Sequence, residues 1–237
     1  TPLAPTPLAP TPLAPTPPAA QPSAGATVSP ETAAPLNTYH VAVAGSDGND
    51  GSAGAPWQTI QHAVDSVQPG DLILVHAGTY AGARLEHSGT AAAPLTLRAN
   101  PGDTPLIDRP GPNNKHSSNL ELETWEGDAT VAYWVIEGFE VTGAPNWGID
   151  IRGNDISPSH HITIRANLVH DNGWTGGNTG IFAAFTDYVT IENNESYHNG
   201  EHGIYVNNSS DYFTIRGNRV HHNANSGIHL NGDLSSG

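Results

Sequence analysis

The 237-residue chain has no cysteine, no methionine and a single lysine, Lys115. Without cysteine there is no disulfide framework and no thiolate metal site. Basic residues are few: 8 Lys and Arg stand against 23 Asp and Glu, a net charge of −15. Nucleic-acid binding is excluded on that ground, because phosphate contacts need clustered Lys and Arg. The same deficit weighs against acidic polysaccharides as substrates unless Ca²⁺ bridges carboxylate to carboxylate. No hydrophobic run approaches the roughly 20 residues of a membrane span. The chain has no initiating Met and no leader, which predicts a mature or trimmed form.

What is present is self-similarity. Four stretches superpose: "WVIEGFEV" (134–141), "ITIRANLVHDNG" (162–173), "VTIENNESYHNG" (189–200) and "FTIRGNRVHHNA" (213–224). Their anchors Ile136, Ile164, Ile191 and Ile215 are 28, 27 and 24 residues apart. Each stretch is followed by a second short strand: "GIDI", "GIFA", "GIYV" or "GIHL". A period in the mid-twenties with short strands predicts a stacked solenoid, whose core exists only when neighbouring units pack. Stacking aligns Asn167, Asn194 and Asn218 in one column and Asn172, Asn199 and Asn223 in another. Asn suits tight turns, and repeated amides bond one another in ladders. The residue after each anchor points outward. That column reads Glu137, Arg165, Glu192, Arg216, alternating in sign. Such pairs contribute about 0.2–1 kcal/mol each and set register.

Residues 1–36 are a separate low-complexity region. "TPLAP" occurs three times in register, and 11 of the 20 prolines lie here. This density favours polyproline II, at about 3.1 Å per residue. Thr with Pro is the composition of an O-glycosylated stalk, with a bare linker as the alternative. The stalk reading assigns O-linked sugar to Thr1, Thr6, Thr11 and Thr16. Residues 37–237 form the folded region. It opens with a strand and a Gly/Asp/Asn turn, "YHVAVAGSDGNDGS". In "WQTIQHAVDSV", Ile60, Ala63, Val64 and Val67 fall at helical spacing, predicting a capping helix over about 57–67. Roughly seven rungs are expected behind it. The last repeat strand runs into "GDLSSG" with no cap pattern, so the natural chain is expected to continue or its end to be covered.

The run "YHVAVAGSDGNDGSAGAPWQTIQHAVDSVQPGDLILVHAGTY", with the later "N…HHN…SGIHL" rungs, resembles the pectate-lyase-like superfamily of right-handed parallel β-helix proteins. The resemblance covers about residues 39–237. It implies an all-β right-handed parallel β-helix with an N-terminal capping helix. It is specific for fold and weak for activity, since the superfamily spans lyases, hydrolases, epimerases, adhesins and inert fibres. Its lyases commonly use a basic proton abstractor, often beside Ca²⁺ held by carboxylates. Lys115, in the polar loop "PNNKHSSN", is the candidate base that this implies.

Other candidates come from the residues themselves. A glycoside hydrolase needs two carboxylates about 5–10 Å apart. Asp150 lies on an outward strand position and Asp171 in a turn, with no Asp/Asp pair on adjacent rungs. The outward row Asp150, Phe182, Tyr205, His229 is the candidate ligand surface, its aromatics suited to sugar rings. His198 and His222 share a column with Asp171, a pattern open to Zn²⁺ or to ordinary turn chemistry. Asp47, Asn49 and Asp50 in "SDGNDGS" are the candidate Ca²⁺ ligands, with a plain turn as the alternative. Asn207 and Asn208 begin N-x-S sequons in a turn. The composition favours an extracellular or cell-surface structural protein, a β-helix head on a glycosylated stalk that self-associates into a fibril or attaches to a cell surface. The alternatives are a secreted polysaccharide lyase or glycoside hydrolase, and a sugar-binding adhesin. Each carries glycans, as attachments, substrates or ligands.

Overall fold

A computed structural model describes residues 34–124, 129–174 and 178–232. Thr1, Thr6, Thr11 and Thr16, the expected glycosylation sites, and the expected extended tail lie outside these residues. Three all-parallel sheets wrap one core. The first sheet runs through Thr38–Val41, Leu72–Val75, Leu95–Ala99, Ala132–Glu137, Ser159–Arg165, Thr190–Glu192 and Thr214–Arg216, with Thr186–Asp187 paired beside Ser159–Arg165. The second stacks Thr79–Ala81, Leu106–Arg109, Glu140–Thr142, Leu168–His170, Glu195–Tyr197 and Arg219–His221. The third stacks Ala83–Leu85, Leu120–Leu122, Ile149–Arg152, Ile181–Ala184, Ile204–Asn207 and Ile228–Leu230. The chain therefore makes six three-sided coils behind a leading strand.

Strand alternation decides what is inside. Leu95–Ala99 and Ala132–Glu137 alternate strictly between buried and half-buried positions. Ile73, Leu97, Ile136, Ile164 and Ile191 are in register and fully buried. Ile215 continues the column through its pairing with Ile191 but is only half-buried. Burial is incomplete there because Ile215 lies on the last described coil, with no described neighbour beyond it.

The helix is Ile60–Ser66, shorter than the apolar spacing implied. Thr59 caps it, accepting a hydrogen bond from the His62 amide, and Trp57 bridges to Val41 instead of joining the helix. Gln61 substitutes for a missing strand. Its Oε1 accepts from the Arg84 amide at 2.8 Å and its Nε2 donates to the Arg84 carbonyl at 3.0 Å. The edge of the third sheet is thereby closed, and an unpaired edge is what a solenoid end must cover.

Both asparagine columns are hydrogen-bonded ladders. The Asn167 amide and side-chain Nδ2 both donate to Asn194 Oδ1, at 3.0 and 3.1 Å. Asn194 donates to Asn218 Oδ1 in the same way, at 2.9 and 3.0 Å. Asn172, Asn199 and Asn223 repeat the pattern at the next corner. The residue before each rung of the first ladder is left-handed: Ala166 at φ 54°, Asn193 at 54° and Gly217 at 64°. That twist turns the chain in two residues and aims the following amide inward. Asn194→Leu keeps the bulk but strands the Asn167 donors and the Ile164 carbonyl, which accepts from Asn194 Nδ2. It is expected to destabilise by about 1–3 kcal/mol. An unchanged urea midpoint would show the ladder to be dispensable.

Candidate functional site

The third sheet carries charge on its outward face. Arg84, Glu121, Asp150, Phe182, Tyr205 and His229 are register partners, one per coil. The three charged members are buried, Asp150 and Glu121 completely. What covers them is the longest coil, between Leu97 and Ile136, whose loop over 110–118 folds against the sheet. Its backbone grips Glu121, with the Lys115 amide donating at 2.8 Å to Oε2 and the His116 amide donating to Oε1. His116 Nε2 lies 2.9 Å from Glu123 Oε2. Arg152 Nε sits 2.9 Å from both oxygens of Asp150, and Ser118 Oγ lies 3.3 Å from Oδ2.

Aromatic rings frame this cluster. The Arg152 guanidinium lies over Trp147 and Phe182, 4.3 and 4.6 Å from their ring centres. Trp147 stacks on Phe182 at 5.3 Å. Phe182 meets Tyr205 edge-on, and Tyr205 meets His202 and His229. The face thus grades from buried ion pairs to rings along successive coils.

Burial pushes the Asp150 carboxyl up to about 6, with the Arg152 charge offsetting part of the effect. Burial also raises Glu121, and the hydrogen bond to Glu123 raises His116. Folded Asp150 therefore keeps a proton between about pH 4 and 6 that the unfolded chain releases. Its contribution is complete below the unfolded value and is lost as pH rises through about 6. Linkage sets that loss at about 3 kcal/mol. His116 acts in the same sense, present below the ordinary histidine value and lost above its raised one. In urea melts at about pH 4 and pH 7, the wild type is expected to lose stability relative to Asp150→Asn. An equal pH response in both proteins would refute the assignment.

The predicted site residues divide. Asp150, Phe182, Tyr205 and His229 form one column, and Lys115 is exposed on the loop that covers it. Asp171 belongs elsewhere: it follows the second-sheet strand Leu168–His170, at φ 53°, with its carboxylate 2.6 Å from His170 Nδ1. The expectation of no Asp/Asp pair on adjacent rungs is corrected, because Asp187 bridges to Asp211 on the next coil; Glu121 and Asp150 add a mixed carboxylate pair in register. Glu121, Glu123 and His116 went unnoticed because their coil is too long for the repeat period. The "LELE" alternation was the available signal. Asn207 and Asn208 end a third-sheet strand, where Asn207 Oδ1 accepts from the Asn208 amide and Asn231 Nδ2.

The Ca²⁺ candidates are engaged in turn and cap. Asp47 Oδ1 accepts from the Gln58 and Thr59 amides, and Oδ2 from the Thr59 hydroxyl. Asn49 Nδ2 donates to the Pro56 carbonyl, and Asp50 accepts from the Ser52 amide. Among the described residues no three His, Asp or Glu side chains converge as a metal site. On the third sheet, Glu121, Glu123 and Asp150 face N–H donors and cations, whereas Ca²⁺ takes six to eight oxygens. These donor sets do not fit Ca²⁺.

Three parallel sheets, ladders at the corners and a loop folded over one outer face define a right-handed parallel β-helix of the pectate-lyase-like superfamily. Within it the chain belongs to the Pel9A-like right-handed β-helix family, which it matches over residues 39–216. A protein of Emericella nidulans named pectate lyase PEL9 is 31% identical over 149 residues, 57% of this chain and 34% of that protein. Pectate lyase L of Dickeya dadantii is 28% identical over 173 residues, covering 68% and 37% of the two chains. The chain spans about a third of the length of these curated relatives. The crystal structure of pectate lyase Pel9A shares the fold, with a TM-score of 0.53 and 20% identity over 74% of this chain and 53% of that one.

Proposed function

We propose that the chain carries the substrate face of an extracellular polysaccharide-active enzyme, a polysaccharide lyase, with its site on the outward third sheet. The observation that carries this reading is the cluster of buried Glu121 and Asp150 with half-buried Arg152 and His116, opening onto Trp147, Phe182 and Tyr205. Rings along a solenoid face suit sugars, and ionisable groups displaced by burial suit proton transfer. The named lyases among its relatives support the same class. The composition-based expectation of a fibril subunit on a glycosylated stalk has less support than its enzyme alternative.

An elimination removes the proton next to a uronate carboxylate, expels the glycosidic oxygen and leaves a carbon–carbon double bond. The carboxylate must be neutralised and a base must take the proton. Arg84 and Arg152 are the arginines on this face, and His116, raised by its hydrogen bond to Glu123, joins them when protonated. Lys115, on the covering loop, is the proposed base. One observation favours a second reading, a glycoside hydrolase: Glu121 and Asp150 are paired carboxylates on adjacent coils, both raised by burial, so that one of them can act as an acid.

The test is digestion of polyuronates and of neutral glycans, followed by ultraviolet absorbance of unsaturated product and by reducing ends. A lyase raises both signals on a polyuronate, and Lys115→Ala is expected to lower the rate about 100-fold. Reducing ends without absorbance, abolished by Asp150→Asn, would establish the hydrolase. Cleavage of neither substrate class would overturn the enzyme reading.

A further inference from the structure

The outward face of the first sheet has its own charge imbalance. Its column runs Arg98, Glu137, Arg165, Glu192, Arg216, each in register with the next. Three arginines meet two glutamates. Arg165 Nη2 donates to Glu137 Oε2 at 2.9 Å, and Arg216 Nε donates to Glu192 Oε2 at 2.6 Å. Both glutamates already have an arginine, and Arg98 has no carboxylate partner among the described residues. The Nε groups of Arg98 and Arg165 are buried and have no acceptor among the described residues.

Both arginines line a cavity of about 160 Å³, walled on its apolar side by Leu36, Ala93 and Pro94, with Thr96 beside them. The acid in that wall, Asp71, is engaged: Oδ1 accepts from Asn37 Nδ2 and Oδ2 from the Gln68 amide. A donor buried without an acceptor is costly, and a guanidinium fork matches a carboxylate. The hollow is lined by two arginines and one acid, a net positive lining in a chain of net charge −15.

We propose that this cavity binds a single carboxylate carried on a compact sugar ring, a hexuronate unit. Arg98 holds the carboxylate, Arg165 flanks it, and the ring rests against Pro94 and Leu36. The excess in the column is one positive charge, which a monoanion balances. A phosphate dianion would leave negative charge beside Glu137. The site is separate from the third-sheet face, and only the choice of a sugar as carrier rests on the proposed function.

Calorimetric titration of the full chain with glucuronate, glucose, acetate and inorganic phosphate tests this. Glucuronate is expected to bind with Kd on the order of 1 mM, and glucose at least about tenfold more weakly. Arg98→Ala, with an unchanged circular dichroism spectrum, is expected to weaken glucuronate about tenfold or more, and Arg98→Lys to restore part. Retention of binding in Asp150→Asn supports the site whether or not the chain cleaves a polysaccharide. Loss of binding in Asp150→Asn places the sugar on the third sheet and overturns the proposal. Full binding in Arg98→Ala, or phosphate binding more tightly than glucuronate, also overturns it. Acetate binding as well as glucuronate removes the ring contact and sinks the sugar assignment.

Discussion

Arg152→Ala is expected to destabilise the protein by about 3–5 kcal/mol near neutral pH. Asp150 is fully buried, and Arg152 Nε is within 2.9 Å of both its oxygens. Removing the cation leaves a carboxylate in the interior with buried Glu121 beside it in register. Two rings also lose the guanidinium that packs on them. The cost has a built-in control, because protonation relieves an isolated buried carboxylate. Urea unfolding at about pH 5 is therefore expected to show a smaller loss than at about pH 8. Adding Asp150→Asn to the variant is expected to recover much of the stability at the higher pH. A variant as stable as the wild type at both values would show that the pair bears no structural weight.

Trp134→Ala is expected to cost a similar amount, about 3–5 kcal/mol. Trp134 is the largest of the fully buried side chains and lies on the first sheet, in register with Leu95 and Ile162. Its indole N–H donates at 2.7 Å to the His87 carbonyl, in the segment that leads from the third sheet back to the first. Alanine opens a cavity between two coils and removes that donor. Trp134→Phe fills most of the space without the N–H and is expected to cost about 1–3 kcal/mol. Denaturant midpoints of the two variants separate packing from the hydrogen bond. Equal losses would assign the whole effect to the hydrogen bond.

The fold was legible because its units repeat. Ile136, Ile164 and Ile191 mark the core by period, and the two asparagine columns mark the corners, so register followed from spacing. The alternating charges were equally visible, although Arg98 escaped notice at the far side of the long coil. The site was only half legible. Asp150, Phe182, Tyr205 and His229 sit on regular coils and were found together. Glu121, Glu123 and His116 sit on the irregular one, where no template assigns a column. Strand alternation turned Asp150 outward correctly, yet outward did not mean exposed. A loop lying over a sheet is a long-range event, and local pattern carries no trace of it. Asp171 and His198, whose column was open to Zn²⁺ or to turn chemistry, are left-handed corner residues.

The ladders also separate what the molecule can change from what it cannot. In the last four coils the passage from first to second sheet is two residues long, and in the first three of these the Phe139 amide or an asparagine amide ties it to the next coil. A residue inserted there would displace every amide above it. The passage into the third sheet is pinned only at its start, by the Asn172, Asn199 and Asn223 ladder, and varies in length beyond it; the loops over 110–118 and 153–158 lie on the passages into and out of that sheet. Length variation is therefore confined to the borders of the charged, ring-lined face. Loop remodelling can alter what that face grips while the framework behind it stays the same.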